Sequence, residues 1–318
     1  MEADKRYLIN AKEMNPKLTT LQFENRKLVV KGGVCRIAHL DADDYKFLNN
    51  PEPVLAELRK SKMRIDLFTF LQKPPEISPK YPYPYEMDNL AVLPVSTFEQ
   101  WWTSKIGFKA RNKAKQAAKK GVVVREAPFD DELVRGIWEI YNECPVRQER
   151  LFPHYGKGVE QVHEMSGTYL DSSIFIGAYD SGKLIGFIKL VVDDTGTQAG
   201  MMHIISMLAE RDKAPTNALV AHAVRSCSQR SIPHLVYSNF AYGKKAQSSL
   251  SDFKERNGFE RVDIPRYYVP LTKWGAAAFS MGLHHRLIDR LPESLTEKLR
   301  DLRKSWYQHK FQLKPESL

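Results

Sequence analysis

Cysteine is scarce in this 318-residue chain. Cys35, Cys144 and Cys227 stand far apart in apolar contexts, and their odd number excludes a disulfide framework. None sits at metal-ligand spacing, so no metal is expected. No run of about eighteen apolar residues occurs, which excludes a transmembrane helix. The start, Met1-Glu2-Ala3-Asp4-Lys5-Arg6, lacks the apolar segment of a secretory leader, and a cytoplasmic protein with reduced thiols is the expectation. Acidic residues are missing altogether between Lys105 and Arg125, where there are eight Lys or Arg. The whole chain carries a net charge of +10, which points to anionic partners: phosphates, nucleic acid or a membrane surface. An apolar content of 42% with 27% charged residues fits an ordinary globular chain, long enough for two modest domains or one large one.

The first ninety-odd residues read as a short α/β half. Leu28 to Leu40 is a hairpin turning at Lys31-Gly32-Gly33. Pro53 to Lys62 is a helix with Val54, Leu55 and Leu58 on one face, and Arg64 to Leu71 alternates as a strand. Five prolines between Lys73 and Tyr85 exclude helix and central strand, leaving a loop whose tyrosines pack down over the core or line a groove. Leu90 to Val95 is a strand, and Ser96-Thr97-Phe98-Glu99 opens a helix with a capping pattern. In its basic continuation, Ile106, Ala110, Ala114 and Ala117 form an apolar stripe, and Gly121 ends it. That stretch is a solvated face or a track for an RNA backbone, although no aromatics interleave for base stacking.

The second half has a more telling order. Ile174 to Tyr179, Leu184 to Val192 and Met201 to Leu208 are three successive strands. Arg211-Asp212-Lys213-Ala214-Pro215-Thr216-Asn217 then enters a helix with Leu219, Val220, Ala223 and Val224 on its apolar face. A strand passing through a basic loop into a helix N-terminus makes an anion site, because unpaired N–H groups point outward there. Upstream, after a helix from Asp131 to Asn142, lies a loop of unusual polar density: Glu143, Arg147, Gln148, Arg150, His154, Tyr155 and Lys157 within fifteen residues. Arginine forks suit a carboxylate or phosphate, and a tyrosine or histidine stacks on a sugar or positions a hydroxyl.

With Asn239 after the next strand and Asn257-Gly258-Phe259 closing the next helix, residues 121–270 resemble the GNAT superfamily of N-acyltransferases. Together with the first half and the basic helix, the chain resembles the Fem-type aminoacyl transferases, in which two GNAT-like domains stand in tandem. The resemblance implies an α/β (α+β) fold with a central mixed, mostly antiparallel sheet, preceded by a smaller, degenerate GNAT-like half. The expected parts are an N-terminal half at 1–95, a basic connecting helix at 96–120, the acyltransferase domain at 121–274 and a C-terminal amphipathic extension at 275–318.

The resemblance also assigns roles. Arg211, Lys213, Ala214, Thr216 and Asn217 would hold the donor pyrophosphate, with Asn239 on the pantetheine of acyl-CoA. Ala214 and Thr216 depart from the family's glycines, which tells against CoA; Fem-type enzymes, whose donor is an aminoacyl-tRNA, also lack that loop, and the segment otherwise only caps a helix. The loop between the first two helices covers the acceptor in this fold, so Glu143, Arg147, Gln148, Arg150, His154, Tyr155 and Lys157 would bind it, with Arg266 reaching the same groove. His203, in the central strand, is the candidate base, with Ser206 as companion and Tyr242 as proton donor; a histidine in a strand also serves simply as a core residue.

The expected function is an N-acyltransferase moving an acyl group from acyl-CoA to an amine of a small anionic acceptor, an amino sugar or a lipid- or nucleotide-linked precursor. The alternatives are transfer from aminoacyl-tRNA in cell-envelope assembly, and a non-catalytic module that keeps the fold. No permanently bound cofactor is expected. Near the C-terminus, Leu295, Leu299, Leu302 and Trp306 share one stripe ringed by Lys298, Arg300, Arg303, Lys304 and Lys310. This stripe packs on the domain or rests on anionic lipid at the inner membrane face.

Overall fold

The computed structural model describes residues 19–23, 26–41, 47–148, 150–242, 248–285 and 293–311. Strands β1 (Thr19–Phe23), β2 (Arg26–Lys31) and β3 (Ile37–Leu40) lead to α1 (Glu52–Lys60), β4 (Leu67–Leu71) and β5 (Tyr85–Pro94). A short helix α2 (Phe98–Gln100) continues as a π turn, Trp101–Lys105, before α3 (Phe108–Lys119). Next come β6 (Val123–Ala127), α4 (Asp131–Asn142), the two-residue strands β7 (Val146–Arg147) and β8 (Arg150–Leu151), and α5 (Val159–Ser166). A meander of β9 (Ser173–Asp180), β10 (Lys183–Val192) and β11 (Gln198–Ser206) runs into α6 (Pro215–Gln229). The order ends with β12 (His234–Val236), α7 (Ser249–Arg256), β13 (Glu260–Pro270), α8 (Lys273–Ser280) and α9 (Glu293–Phe311).

These elements form two compact units, one reaching to Asn89 and resuming at Val262 through α8, the other running from Leu90 to Arg261 and including α9. The division cuts across the boundaries expected at 95, 120 and 274. The chain returns to the first unit because β13 pairs with β4 from Arg266↔Leu71 to Pro270↔Leu67 and adds Tyr267 and Val269 to the first core. The basic helix α3 belongs to the second unit, where it packs on α6.

In the first unit the strand order is β1-β2-β3-β4-β13, with β3 and β4 parallel and the other pairs antiparallel. The hairpin of β2 and β3 pairs Leu28 with Leu40, and α1 buries Val54, Leu55 and Leu58, as the periodicity requires. β4 departs from the expected alternation and is buried throughout. Phe68 and Phe70 enter the main core while Leu67 meets Ala278 of α8, so both faces of the strand are covered. The proline-rich loop is stitched down. The Tyr267 hydroxyl accepts from Lys80 N at 2.7 Å and Tyr81 N at 3.2 Å, and donates to Gln72 Oε1 at 2.7 Å.

In the second unit the order is β5-β12-β11-β10-β9-β6, with β12 and β11 parallel and the remaining pairs antiparallel. This is the mixed, mostly antiparallel sheet expected. α4 starts where the Asp130 side chain accepts from Leu133 N at 2.9 Å, a cap that satisfies one orphan donor. It buries Ile137 and Ile140, and α6 buries Leu219, Val220, Ala223 and Val224, in one shared core. Each of the Leu, Ile and Val side chains contributes roughly 1.5–3 kcal/mol on burial. α3 ends at Gly121, whose φ of +83° suits a residue without Cβ. Trp101 anchors the segment before α3 by donating from Nε1 to Asn257 O at 2.9 Å.

No helix of the described residues is long and apolar enough to cross a membrane. In α9, Leu302 and Trp306 are exposed, which departs from the first of the two readings of this stripe, packing on the domain, and Lys310 lies 4.4 Å from the Trp306 ring. The expected cap at Pro292 and the side chains of Leu295, Leu299 and Arg300 fall outside the described residues, as does Met1 to Arg6.

Candidate active site

β11 and β12 pair only through Gln198↔His234, Ala199↔Leu235 and Gly200↔Val236. Beyond Gly200 they part, and β11 continues to Ser206 with β10 as its single ladder partner among the described residues. The β10–β11 register slips there as well. Lys189 faces His203 but Leu190 faces Met201, which leaves Met202 as the extra residue of a bulge. A bulge beside a parted strand re-aims side chains that strict alternation would send elsewhere, and His203 stands at that point.

Around His203 the structure gathers groups from three elements. The His154 ring lies 5.9 Å from it edge-on, and His154 in turn stacks on Tyr141 of α4 at 4.6 Å. Lys157 Nζ is 3.4 Å from His154 Nδ1 and 3.0 Å from Met165 Sδ. Lys189, fully buried in mid-strand, donates to Ser166 O at 2.8 Å, to Thr168 Oγ1 at 3.1 Å and to Thr168 O, tying β10 to the end of α5. Lys189 is absent from the residues that the sequence marks for the site. Its one signal was a lysine with apolar neighbours on both sides in a strand covered on both faces.

Every charged group that perturbs these four is itself a cation former. Burial first, then Lys189 and Lys157, pull His203 down to about 4. Burial, Lys157 and His203 pull His154 down to about 3. Burial alone lowers Lys157, and it lowers Lys189 to about 8. Both rings are therefore neutral at pH 7, held so by desolvation and neighbouring charge. Because their folded values lie below the ordinary histidine value, the unfolded chain binds more protons as pH falls, and stability declines from pH 6.5 toward 4. Between pH 6.5 and 5.0, above most carboxylate titration, the cost is up to about 2 kcal/mol per ring. Urea unfolding at the two pH values should show this fall, and His154→Gln with His203→Gln should flatten it. An unchanged slope in the double variant would show that the rings do not titrate in that way.

The polar loop after α4 divides into inward and outward residues. Arg147, expected to face an acceptor, is turned inward. It donates from Nη1 to Ser206 O at 2.7 Å, and from Nη2 to Ile140 O at 2.9 Å and Glu143 Oε2 at 2.8 Å. Glu143 also accepts from Leu208 N at 2.7 Å and from Ala209 N at 2.9 Å, the amides just past β11. The pair thus plugs the end of the central strand. Gln148, at φ +50° on the tip between β7 and β8, is exposed, as are Arg150 and Tyr155. Of the seven loop residues named from sequence, His154 and Lys157 are the ones brought beside His203.

In the loop from Arg211 to Asn217, the charges of Asp212 and Lys213 are spent on ion pairs. Ala214 occupies the left-handed region, φ +53°, where a glycine is ordinarily favoured, and Pro215 opens α6. Lys213 pairs with Asp180 at 2.6 Å and Glu210 at 2.7 Å, hydrogen bonds that raise its pKa; Asp212 pairs with Lys120 at 2.6 Å. Arg211 is exposed, Asn217 is half-buried in the first turn of α6, and Thr216 Oγ1 meets Ser206 Oγ at 3.0 Å, so Ser206 faces the helix start. The carbonyl of Asn239 accepts from Lys254 Nζ, whose ammonium lies over the Tyr237 ring at 4.3 Å and the exposed Tyr242 ring at 5.0 Å. Lys254, fully buried, also went unread in the sequence. Arg266 lies in the first unit, paired with Asp88 at 2.7 Å.

A sheet of this order with a parted β11 and β12, preceded by a smaller mixed-sheet unit, is the Fem-type, GNAT-like fold. No family model matches the sequence, and no curated protein matches it. Solved structures do. FemX superposes with a TM-score of 0.56 at 10% identity, over 85% of this chain and 92% of that one. The C-terminal domain of a protein assigned as a lysylphosphatidylglycerol synthetase in Agrobacterium fabrum gives 0.53 at 15% identity, over 88% and 95%. The structure of L-PGS from Bacillus licheniformis gives 0.53 at 14%, over 86% and 90%. At such identities the likeness is one of fold.

Proposed function

We propose that this protein is a GNAT-like transferase that moves an aminoacyl group from the ester of an aminoacyl-tRNA onto the amine of a small anionic acceptor, such as an amino sugar or a lipid- or nucleotide-linked precursor. The observation that carries this reading is the cluster of His203, His154, Lys157 and Lys189 at the parted end of β11, which burial perturbs first and no acidic group offsets. A carboxylate or phosphate of the acceptor supplies the missing charge, and its arrival raises the basicity of both rings. The acceptor nitrogen attacks the acyl carbon, the ester C–O bond breaks, and His203 carries the amine proton to the departing oxygen. Positioning of amine and carbonyl supplies much of the acceleration.

The choice of donor rests on Glu143. Its carboxylate accepts from the two amides that follow β11, so an anionic pyrophosphate meets a like charge there. An ester at the end of a tRNA needs no pyrophosphate at that point. The exposed Lys109, Lys113, Lys115 and Lys119 of α3 offer its backbone a salt-sensitive contact. Acyl-CoA is the competing donor, favoured by the exposed Arg211 before α6.

Calorimetric titration with acetyl-CoA and longer acyl-CoAs should show no saturable binding. Aminoacyl-tRNA should bind, and should transfer label to a panel of anionic amines. Micromolar acyl-CoA binding that Arg211→Ala weakens would overturn the donor assignment. Binding of neither donor would leave a non-catalytic module.

A further inference from the structure

In the first unit, the start of β5 meets the segment that follows α8 through three side chains. Glu86 Oε1 lies 3.0 Å from His284 Nε2 and 3.2 Å from His285 Nε2, and the three ligand-capable atoms all fall within 4.8 Å of one another. The two imidazoles, neighbours in sequence, bring their rings to 4.0 Å between centroids. His284 is wedged against Tyr268 at 4.6 Å and Phe279 at 4.7 Å, with its side chain 1% exposed, while His285 is 44% and Glu86 38% exposed. One imidazole is thus fixed by packing, and the other two groups stand at the solvent boundary where an ion enters.

The geometry points to a zinc-type site formed by Glu86, His284 and His285. Zinc takes imidazole nitrogen and carboxylate oxygen at about 2.0–2.2 Å, so two ligands of a tetrahedral ion stand about 3.3 Å apart. The two nitrogen–oxygen distances are near that edge length. A single carboxylate oxygen shared by two Nε2 atoms is the arrangement from which a cation draws three ligands to one point with small side-chain shifts. Two imidazoles with one carboxylate suit zinc and its neighbours over magnesium or calcium, which prefer all-oxygen shells. Three protein ligands leave a fourth position for water or another donor. Glu86 and His284 are 198 residues apart in sequence, so a bound ion ties the entry to β5 to the end of α8 and stabilises the folded unit by linkage.

Nothing local in the sequence marks this trio as ligands. His284-His285 is a bare dipeptide, and the third ligand comes from the far side of the chain.

The test uses the full chain stripped with chelator and titrated with zinc chloride at pH 7.5 in a calorimeter. One equivalent is expected to bind with micromolar or tighter affinity. His285→Ala and Glu86→Gln, both at partly exposed positions, should each weaken it about tenfold or more. Zinc should raise the thermal midpoint of the parent, and that of His285→Ala by clearly less at the same zinc concentration. The double variant His154→Gln, His203→Gln should bind as the parent does. No saturable zinc binding would overturn the assignment, as would binding equal in parent, His285→Ala and Glu86→Gln, or binding lost in the His154, His203 double variant.

Discussion

Glu143→Ala is expected to destabilise the protein by about 3 kcal/mol, read as a lowered midpoint in guanidinium unfolding without a change of slope. The Arg147 side chain is only 10% exposed, and Glu143 is its one acidic partner among the described ion pairs. Removing the carboxylate leaves the guanidinium with two carbonyls and no counter-charge, the situation in which breaking a buried pair costs most. It also strips the acceptor from Leu208 N and Ala209 N, and each orphaned amide adds to the cost to the extent that water cannot replace the acceptor. Glu143→Gln keeps an acceptor and the volume, so it should lose less. A loss below about 1 kcal/mol in Glu143→Ala would mean that solvent screens the pair as it does at a surface. The same variant frees the amides past β11 for an anion, so any weak acyl-CoA affinity should strengthen in it.

His203→Ala should reduce the transfer rate about 100- to 10,000-fold while leaving donor binding near its original strength, the pattern of a lost proton carrier. His203 sits on the bulged, parted half of β11 beside two ammonium groups, and a packing role alone would not explain a selective loss of kcat. His203→Gln separates the two roles. It preserves size and a hydrogen-bond acceptor, so a core histidine would tolerate it and a proton carrier would not. A kcat within about threefold of the parent in both variants would remove His203 from the chemistry.

Much of the architecture was legible because it depends on local periodicity. The helix α4, the apolar face of α6 and the three strands from Ser173 onward fall where apolar runs, turn signals and helical spacing put them. The division into units was not legible, since nothing local in Arg266 to Pro270 reveals that this strand pairs with Leu67 to Leu71. For the site, strand order put His203 in β11, but the bulge at Met202 that re-aims it was not legible. Nor was the inward turn of Arg147: it depends on carbonyls of Ile140 and Ser206, which composition cannot display. Lys189 and Lys254 escaped for the complementary reason. A lysine is ordinarily read as solvent-facing, and only three-dimensional acceptors reveal one held inside.

The basic helix has a further meaning. α3 spends its inner face on Ala110, Ala114 and Ala117, so what sets its height above α6 is a row of methyl groups. Its charges then form a low ridge on a seat of fixed depth. Lysines along such a ridge can shift position, or exchange with arginine, with little consequence for the fold. The methyls of Ala110 and Ala117, the most deeply buried of the row, have the least room to grow, because a larger side chain there would lift the row of charges away from the body that carries them.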